Sequence, residues 1–239
     1  MAHATRRDFL QQSGLGLAAV AAGELFLAGG ARPTLATVSG NEANRVLIQM
    51  GAIPKEASPS MAPLKLITPV SAGPFYRTGA PFRAKLSVPG EPGTTFVLSG
   101  RAWAFDTKRP LPGVVLDFWH VDLNEKYSDG VSDFRNRGRL VTNEAGYYEV
   151  EGIRPIPYRP NLGNSNFWRC AHFHLLAVCP GYRPLVTEIH FKDDPKSSDS
   201  MYRPENAIAP VKRTVNGTNF ETGVFDIVLE RENPGGTVT

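Results

Sequence analysis

The chain has 239 residues, 41% hydrophobic and 21% charged, enough to bury a core at the size of one domain with an appendage. Its formal charge is only +3, from 26 Lys and Arg against 23 Asp and Glu, and no long basic run occurs, which argues against nucleic acid as a partner. Gly 23 and Pro 20, scattered without period, fit short strands and turns better than collagen or low-complexity sequence.

In chain order, residues 1–37 read as a targeting segment that takes no part in the fold. Arg6-Arg7-Asp8-Phe9-Leu10 precedes a weakly apolar, Gly- and Ala-rich stretch from Gly14 to Ala31, a pattern similar to a bacterial twin-arginine export signal. Gln11 stands where such signals usually carry Lys, and the cleavage point is open between Ala31 and Ala36. Glu24 interrupts the stretch, which is shorter and richer in glycine than the ~20 apolar residues of a spanning helix, so no permanent membrane span is predicted. The expected location is the periplasm or the exterior of a bacterium, with the twin-arginine export machinery as a partner. That route carries folded protein, so it would suit any chain that must acquire a particular metal before leaving.

Residues 38–67 read as an N-terminal arm or linker: a short helix-like pattern from Asn41 to Met50, then a segment rich in Pro, Ser and Ala through Pro63. Residues 68–239 form the expected folded domain. Short apolar or alternating runs recur there between turn signals, at Thr95-Phe105, Val114-Val121, Tyr147-Glu151, Ala171-Val178, Leu185-Phe191 and Val224-Leu229. The predicted fold class is all-β, an antiparallel β-sandwich with long loops. Asp106 to Pro110 and Thr142 to Gly146 carry the residues expected at hairpin turns. Cys170 and Cys179 bracket one predicted strand, which would hold their α-carbons ~30 Å apart, against the ~7 Å limit of a disulfide. Both are expected to be free, buried thiols.

The chemistry concentrates at His172-Phe173-His174. On a strand, residues two apart share a face, so both imidazoles can reach one metal. The spacing alone equally suits two ordinary strand histidines. With only five histidines in the chain, an all-histidine site would also need His120 or His190. No cysteine pair has ligand spacing, which makes a thiolate zinc site improbable. Tyrosine remains a candidate donor, since a phenolate is a hard anionic oxygen and a bound cation can strip its proton at neutral pH. Composition does not choose among the seven tyrosines.

Several segments, in order from Pro69 to about Leu229, resemble the intradiol ring-cleavage dioxygenases, whose members include protocatechuate and catechol dioxygenases. Ser71-Ala72-Gly73-Pro74-Phe75-Tyr76 looks like the stretch beside the substrate cavity. Pro112-Gly113-Val114-Val115-Leu116-Asp117-Phe118-Trp119-His120 followed by Tyr127 looks like the strand and loop of a first tyrosinate. Gly146-Tyr147-Tyr148-Glu149 and Arg154-Pro155-Ile156-Pro157-Tyr158 are similar to the segments of a second. Trp168-Arg169-Cys170-Ala171-His172-Phe173-His174 resembles the family's Arg-Pro-Ala-His-x-His, with Cys170 in place of Pro, and Pro180-Gly181-Tyr182 follows.

The resemblance implies an Fe(III) cofactor held by Tyr127, Tyr158, His172 and His174. It implies that Arg169 steadies charge on the substrate and that Tyr158 doubles as a base. Glu188 falls where protocatechuate enzymes usually show Gln, and a carboxylate there would repel an anionic intermediate unless protonated or paired. Gly73, Pro74 and Tyr76 are expected at the substrate, with Arg169, and Pro110 to Gly113 along the cavity. Trp119 and His190 are expected to pack. The implied reaction opens a catechol-type substrate with O2 between its hydroxylated carbons, giving a muconate-type dicarboxylic acid.

Trp168 and the ending Val224-Phe225-Asp226-Ile227-Val228-Leu229 look like protocatechuate enzymes, whereas Trp119-His120 appears also in catechol and hydroxyquinol enzymes, so the particular catechol stays open. So does a homo-oligomer, because barely thirty residues separate the signal from Gly73, too few for the long helical N-terminal region of typical catechol dioxygenases. Two rival readings predict different metal behaviour. A transthyretin-like, non-catalytic sandwich would bind no iron tightly, and a zinc or copper enzyme using His172, His174 and either His120 or His190 would keep its metal without the tyrosines.

Overall fold

The computed structural model describes residues 63–160 and 167–232, so the expected export signal and nearly all of the expected arm lie outside the described residues. The described residues form strands β1 Thr95–Ala104, β2 Val115–Trp119, β3 Arg137–Val141, β4 Tyr147–Ile153, β5 His172–Val178, β6 Leu185–Phe191, β7 Ala207–Ile208, β8 Val211–Val215, β9 Thr218–Val224 and β10 Ile227–Leu229. The helical content among them is one 3-10 turn at Pro204–Asn206, and no helix there is long and apolar enough to cross a membrane.

The all-β prediction holds, with two five-stranded sheets. One has the order β3-β2-β5-β6-β7. In the other, β1 pairs with β4 on one side, with β9 along its first half and with β10 at its last three residues, and β8 extends β9 outward. Inward-facing aromatics join the layers: Phe96 of β1 packs on Phe173 of β5 at 5.8 Å and edge-on to Phe191 of β6 at 5.3 Å, while Phe118 of β2 meets Tyr148 of β4 at 5.9 Å. These side chains sit in one core with Leu98, Leu116, Leu175, Ile189 and Ile227.

Two expectations need correcting. The sheets are mixed rather than wholly antiparallel, since β1 runs parallel to β9 and β10, and β6 to β7. A tight turn forces antiparallel pairing only between strands that follow one another in one sheet. Likewise, residues 106–110 and 142–146 make real turns, but they lead from β1 to β2 and from β3 to β4, which lie in different sheets. In the second turn, Asn143 Oδ1 accepts the N–H groups of Ala145 at 3.0 Å and Tyr147 at 2.9 Å. Such turns form corners between layers. A true two-residue hairpin joins β8 to β9 at Asn216-Gly217, with φ of 48° and 76°, the conformation of a primed turn that Asn-Gly favours.

Cys170 and Cys179 are both free and buried, on either side of β5, as a strand between them requires.

Candidate metal centre

Alternation along β5 sends Phe173, Leu175 and Ala177 into the core and turns His172 and His174 to the opposite face. Register fills out that face. His174 lies opposite Trp119 of β2 on one side and Glu188 of β6 on the other, Trp119 lies opposite Arg137 of β3, and His172 lies opposite His190. An outer sheet face carrying this much charge would ordinarily be wet. Here Arg137 is 2% exposed, Trp119 1%, His174 3% and Glu188 2%, so loops must roof it.

The roof delivers the phenols. In the β2–β3 loop, Asp122 Oδ1 accepts the N–H groups of Asn124 at 2.8 Å and Lys126 at 2.9 Å, a tight turn that presents Tyr127. Tyr158 and Arg169 face each other across a bridge of two backbone hydrogen bonds, 3.1 and 2.8 Å, which fixes both side chains beside the sheet. Glu125 Oε2 accepts the Arg159 N–H at 2.9 Å and so ties the two segments together.

Four donor atoms meet beneath this roof. His172 Nε2 lies 3.1 Å from His174 Nε2, His174 Nε2 lies 3.0 Å from Tyr127 Oη, and Tyr127 Oη lies 3.2 Å from Tyr158 Oη. His172 Nδ1 sits 2.7 Å from the Cys170 carbonyl, which can only accept, so the proton is on Nδ1 and a lone pair on Nε2. Burial first, then Arg169, lowers the His172 pKa to about 3, and burial followed by His172 holds His174 well below its ordinary value. Both rings are therefore neutral at pH 7. His174 Nδ1 is buried without a hydrogen-bond partner, 3.7 Å from Glu188 Oε1. Without a cation, only one proton can lie between the two facing Nε2 atoms; a metal ion accepts both lone pairs. A ligand histidine donating its other N–H to a backbone carbonyl is the usual arrangement around a metal. The donor set thus fits a metal ion.

The phenols complete the electrostatics. Desolvation raises both pKa values, and for Tyr127 the neighbouring Tyr158 adds to it, while Arg169 works to lower both. The Arg169 guanidinium is itself held between Glu188, at 2.6 Å from Nη2, and Asp199, at 3.2 Å from Nε. Burial works against its charge, yet Glu188 raises the pKa above its ordinary value. The carboxylate that looked repulsive in sequence is paired.

Two further acid-and-base groupings appear among the described residues. His172, His174 and Glu188 form one, and Cys170, His172 and His190 the other. Cys170 Sγ lies 3.2 Å from His190 Nδ1, and burial pushes the thiol up, so it stays protonated. His120 is brought elsewhere: it packs edge-on against Phe173 at 4.9 Å, on the core side of β5. A three-histidine site through His120 is thereby excluded. Trp119 packs as expected, but on a site residue, stacked on His174 at 4.7 Å.

A cavity of about 510 Å³ opens on Tyr127 and Tyr158. Its lining differs from the expected substrate contacts. Phe75 and Arg77 line it, whereas Gly73, Pro74, Tyr76 and Arg169 do not, nor do Pro110 to Gly113; Arg169 lies behind Tyr158, to which its backbone is bridged. Successive residues of an extended segment point opposite ways. Phe75 stacks on Tyr127 at 4.5 Å, while Tyr76 turns to Trp119 at 4.9 Å and places its hydroxyl 3.3 Å from Asp117 Oδ2. Pro110 to Gly113 lead into the far end of β2, which reaches the site through Trp119 at its other end. Sequence reading also missed Lys126, Arg137, Arg159 and Asp199; the first and third adjoin Tyr127 and Tyr158 and were findable as neighbours.

Burial raises the Asp117 pKa from 3.8 to about 6, with Tyr76 and then Arg139 opposing the shift. A carboxyl raised in the folded state stabilises fully below the unfolded value and loses that contribution as pH climbs through the folded one. Asp117→Asn is therefore expected to stabilise the protein at pH 8 by about 1–3 kcal/mol and to be near neutral at pH 4. Denaturant unfolding at the two pH values checks this, and equal effects at both would contradict it.

A family model described as "Dioxygenase" matches residues 72–231. The chain is 32% identical over 182 residues to a chlorocatechol 1,2-dioxygenase of Rhodococcus opacus, covering 66% of this chain and 70% of that protein. It is 29% identical over 158 residues to catechol 1,2-dioxygenase 2 of Acinetobacter lwoffii, covering 59% and 57%. With a second chlorocatechol 1,2-dioxygenase, from Pseudomonas sp. strain P51, these relatives are spanned over 55% to 70% of their length. Among solved structures, the dioxygenase domain of a dioxygenase and carbohydrate-binding protein fusion from Streptomyces sp. SirexAA-E superposes with a TM-score of 0.58 at 27% identity, over 70% of this chain and 99% of that one. The hydroxyquinol 1,2-dioxygenase of Pseudomonas putida DLL-E4 gives 0.63 at 22% identity over 94% and 87%, a likeness of fold alone.

Proposed function

Because the chain belongs to the intradiol ring-cleavage dioxygenase family, we propose that it opens a catechol-type ring between its two hydroxylated carbons, with both atoms of O2 entering a muconate-type dicarboxylic acid. The convergence of two phenols and two neutral imidazoles beside a cavity roomy enough for an aromatic ring carries this reading. Tyr127, Tyr158, His172 and His174 would hold Fe(III), since two hard phenolate oxygens suit a trivalent ion and the set has no thiolate. Iron(III) bound there supplies a Lewis-acidic, electron-accepting centre that leaves a catecholate ring carbon open to O2.

The protein groups do the rest. Tyr158 lines the cavity and, ionised as a metal ligand, would take the proton of one substrate hydroxyl, so the site would carry its own base. Arg169, a permanent cation that favours the ionised form of both phenols, steadies negative charge developing on the substrate. Glu188 acts through its 2.6 Å contact with Arg169, aiming the guanidinium. Phe75, stacked on Tyr127, offers a flat apolar wall to an aromatic ring. Residues 1–37, with Arg6-Arg7, would send the folded protein to the periplasm or beyond through the twin-arginine machinery.

Oxygen uptake with catechol under ¹⁸O₂ tests the reaction. One O2 consumed per catechol and two labelled atoms in the dicarboxylate are expected; release of hydrogen peroxide with a quinone, or no uptake by iron-loaded protein, would overturn the reading.

A further inference from the structure

Arg77 and Arg137 line the cavity together and touch the same residue. A Cβ added to Gly130 would lie 2.5 Å from Arg77 Cβ and 3.4 Å from Arg137 Nε, so only glycine lets the two arginines close over this position. Arg137 is 2% exposed, yet its hydrogen bonds go only to neutral oxygens, the Ser128 hydroxyl at 2.9 Å and the carbonyls of Ser128 and Phe75 at 2.8 Å. Arg77 likewise donates only to the carbonyls of Pro74 and Tyr76, at 2.9 and 2.7 Å. Arg137 Nη1 and Arg77 Nη2 have no hydrogen-bond partner, and neither arginine has a carboxylate within ion-pair distance, among the described residues.

The acids that share the cavity are engaged elsewhere. Glu125 is bound to the Arg159 backbone at 2.9 Å and faces the Arg159 side chain at 4.0 Å. Asp129 turns in on its own loop, taking the N–H groups of Val131, Ser132 and Asp133 at 2.8 to 3.0 Å together with the Ser132 hydroxyl. A buried guanidinium next to a second one, with Asp117 and Asp129 near but no carboxylate in ion-pair contact, is costly unless an anion completes it. Pairs of arginine forks match a carboxylate well.

We propose that Arg77 and Arg137 form a subsite for a carboxylate on the substrate, so that the preferred catechol is an aromatic acid rather than an uncharged or halogenated ring. This deepens the ring-cleavage reading and rests on it. A carboxylate at the arginine pair would steer the ring to the Tyr127 and Tyr158 end of the same cavity.

The test compares 3,4-dihydroxybenzoate with catechol on the iron-loaded full chain, by oxygen uptake for kcat/KM and by calorimetry for binding. The acid is expected to be preferred at least about tenfold, with a preference that shrinks as salt rises. Arg77 is exposed, so Arg77→Gln should fold; it is expected to cut the acid-to-catechol ratio about tenfold, and Arg77→Lys to restore most of it. Arg137→Gln should act in the same direction, but Arg137 also ties down Phe75 and Ser128, which makes Arg77 the cleaner probe. Equal or better use of catechol, or a ratio indifferent to Arg77→Gln, would overturn the subsite. Ring opening without the acid preference sinks the subsite alone. A binding preference without ring opening keeps the subsite and sinks the dioxygenase reading.

Discussion

His174→Ala is expected to leave the protein folded but without iron, with turnover at least about 100-fold below wild type. His174 is the hinge of the donor set, since its Nε2 lies within 3.1 Å of both His172 Nε2 and Tyr127 Oη. Its ring is locked by stacking on Trp119 at 4.7 Å, so no other side chain can swing into its place without displacing a fully packed indole. Removing it also removes the opposing lone pair, and His172 Nε2 then faces a small void. The loss in stability should be about 1–3 kcal/mol, from the stacking on Trp119 that is lost and the void that is left. Iron content by elemental analysis, read beside a thermal melt, checks this. Stoichiometric iron in folded His174→Ala protein would contradict it.

Arg169→Met is expected to have the second largest effect, and on two quantities at once. Turnover should fall about 100- to 1000-fold, the range seen when one preorganised donor to developing negative charge is removed. Stability should fall by about 3–5 kcal/mol, because Glu188 and Asp199 are left buried without their shared cation. The two losses can be separated. Glu188→Gln in the Arg169→Met background relieves an unpaired buried charge and should recover part of the stability while recovering none of the turnover. Recovery of both together would mean that Arg169 serves only the fold.

Much of this was legible in the chain. Each of the six predicted strand runs overlaps a strand, and Leu185-Phe191 is β6 to the residue, because alternating apolar runs between turn residues have few other solutions. Asn216-Gly217 is an equally legible signal: it marks the β8–β9 hairpin, although the first strand, Val-Lys-Arg-Thr-Val, has no apolar run. As an exposed edge strand bearing Lys212 and Arg213, β8 has no need of one. Layer assignment was out of reach, because a turn looks alike whether it closes a hairpin or turns a corner between sheets.

The site divides along the same line. The His172 and His174 pair follows from strand periodicity, and the four-donor set follows from resemblance, but the distances between them come only from the fold. Glu188 illustrates the limit. Its sequence neighbours gave no hint that Arg169, nineteen residues earlier, would sit at 2.6 Å, since that contact depends on β5 and β6 pairing side by side and on the Tyr158 bridge that places Arg169 above them. Arg77 and Arg137 were invisible for a similar reason: 60 residues apart in the chain, they meet only where the β2–β3 loop folds back over Gly130.

The visible spectrum of the iron-loaded full chain, recorded for wild type and for Tyr158→Phe with and without catechol, tests the central claim most directly. Two tyrosinates on ferric iron should give a broad visible band that shifts when catechol is added, and the band should be altered and the catechol-induced shift lost in Tyr158→Phe. A colourless wild-type protein, or a metal site whose spectrum and occupancy are the same in Tyr158→Phe, would contradict the tyrosinate site and point instead to His172, His174 and Glu188 as the holders of a different ion.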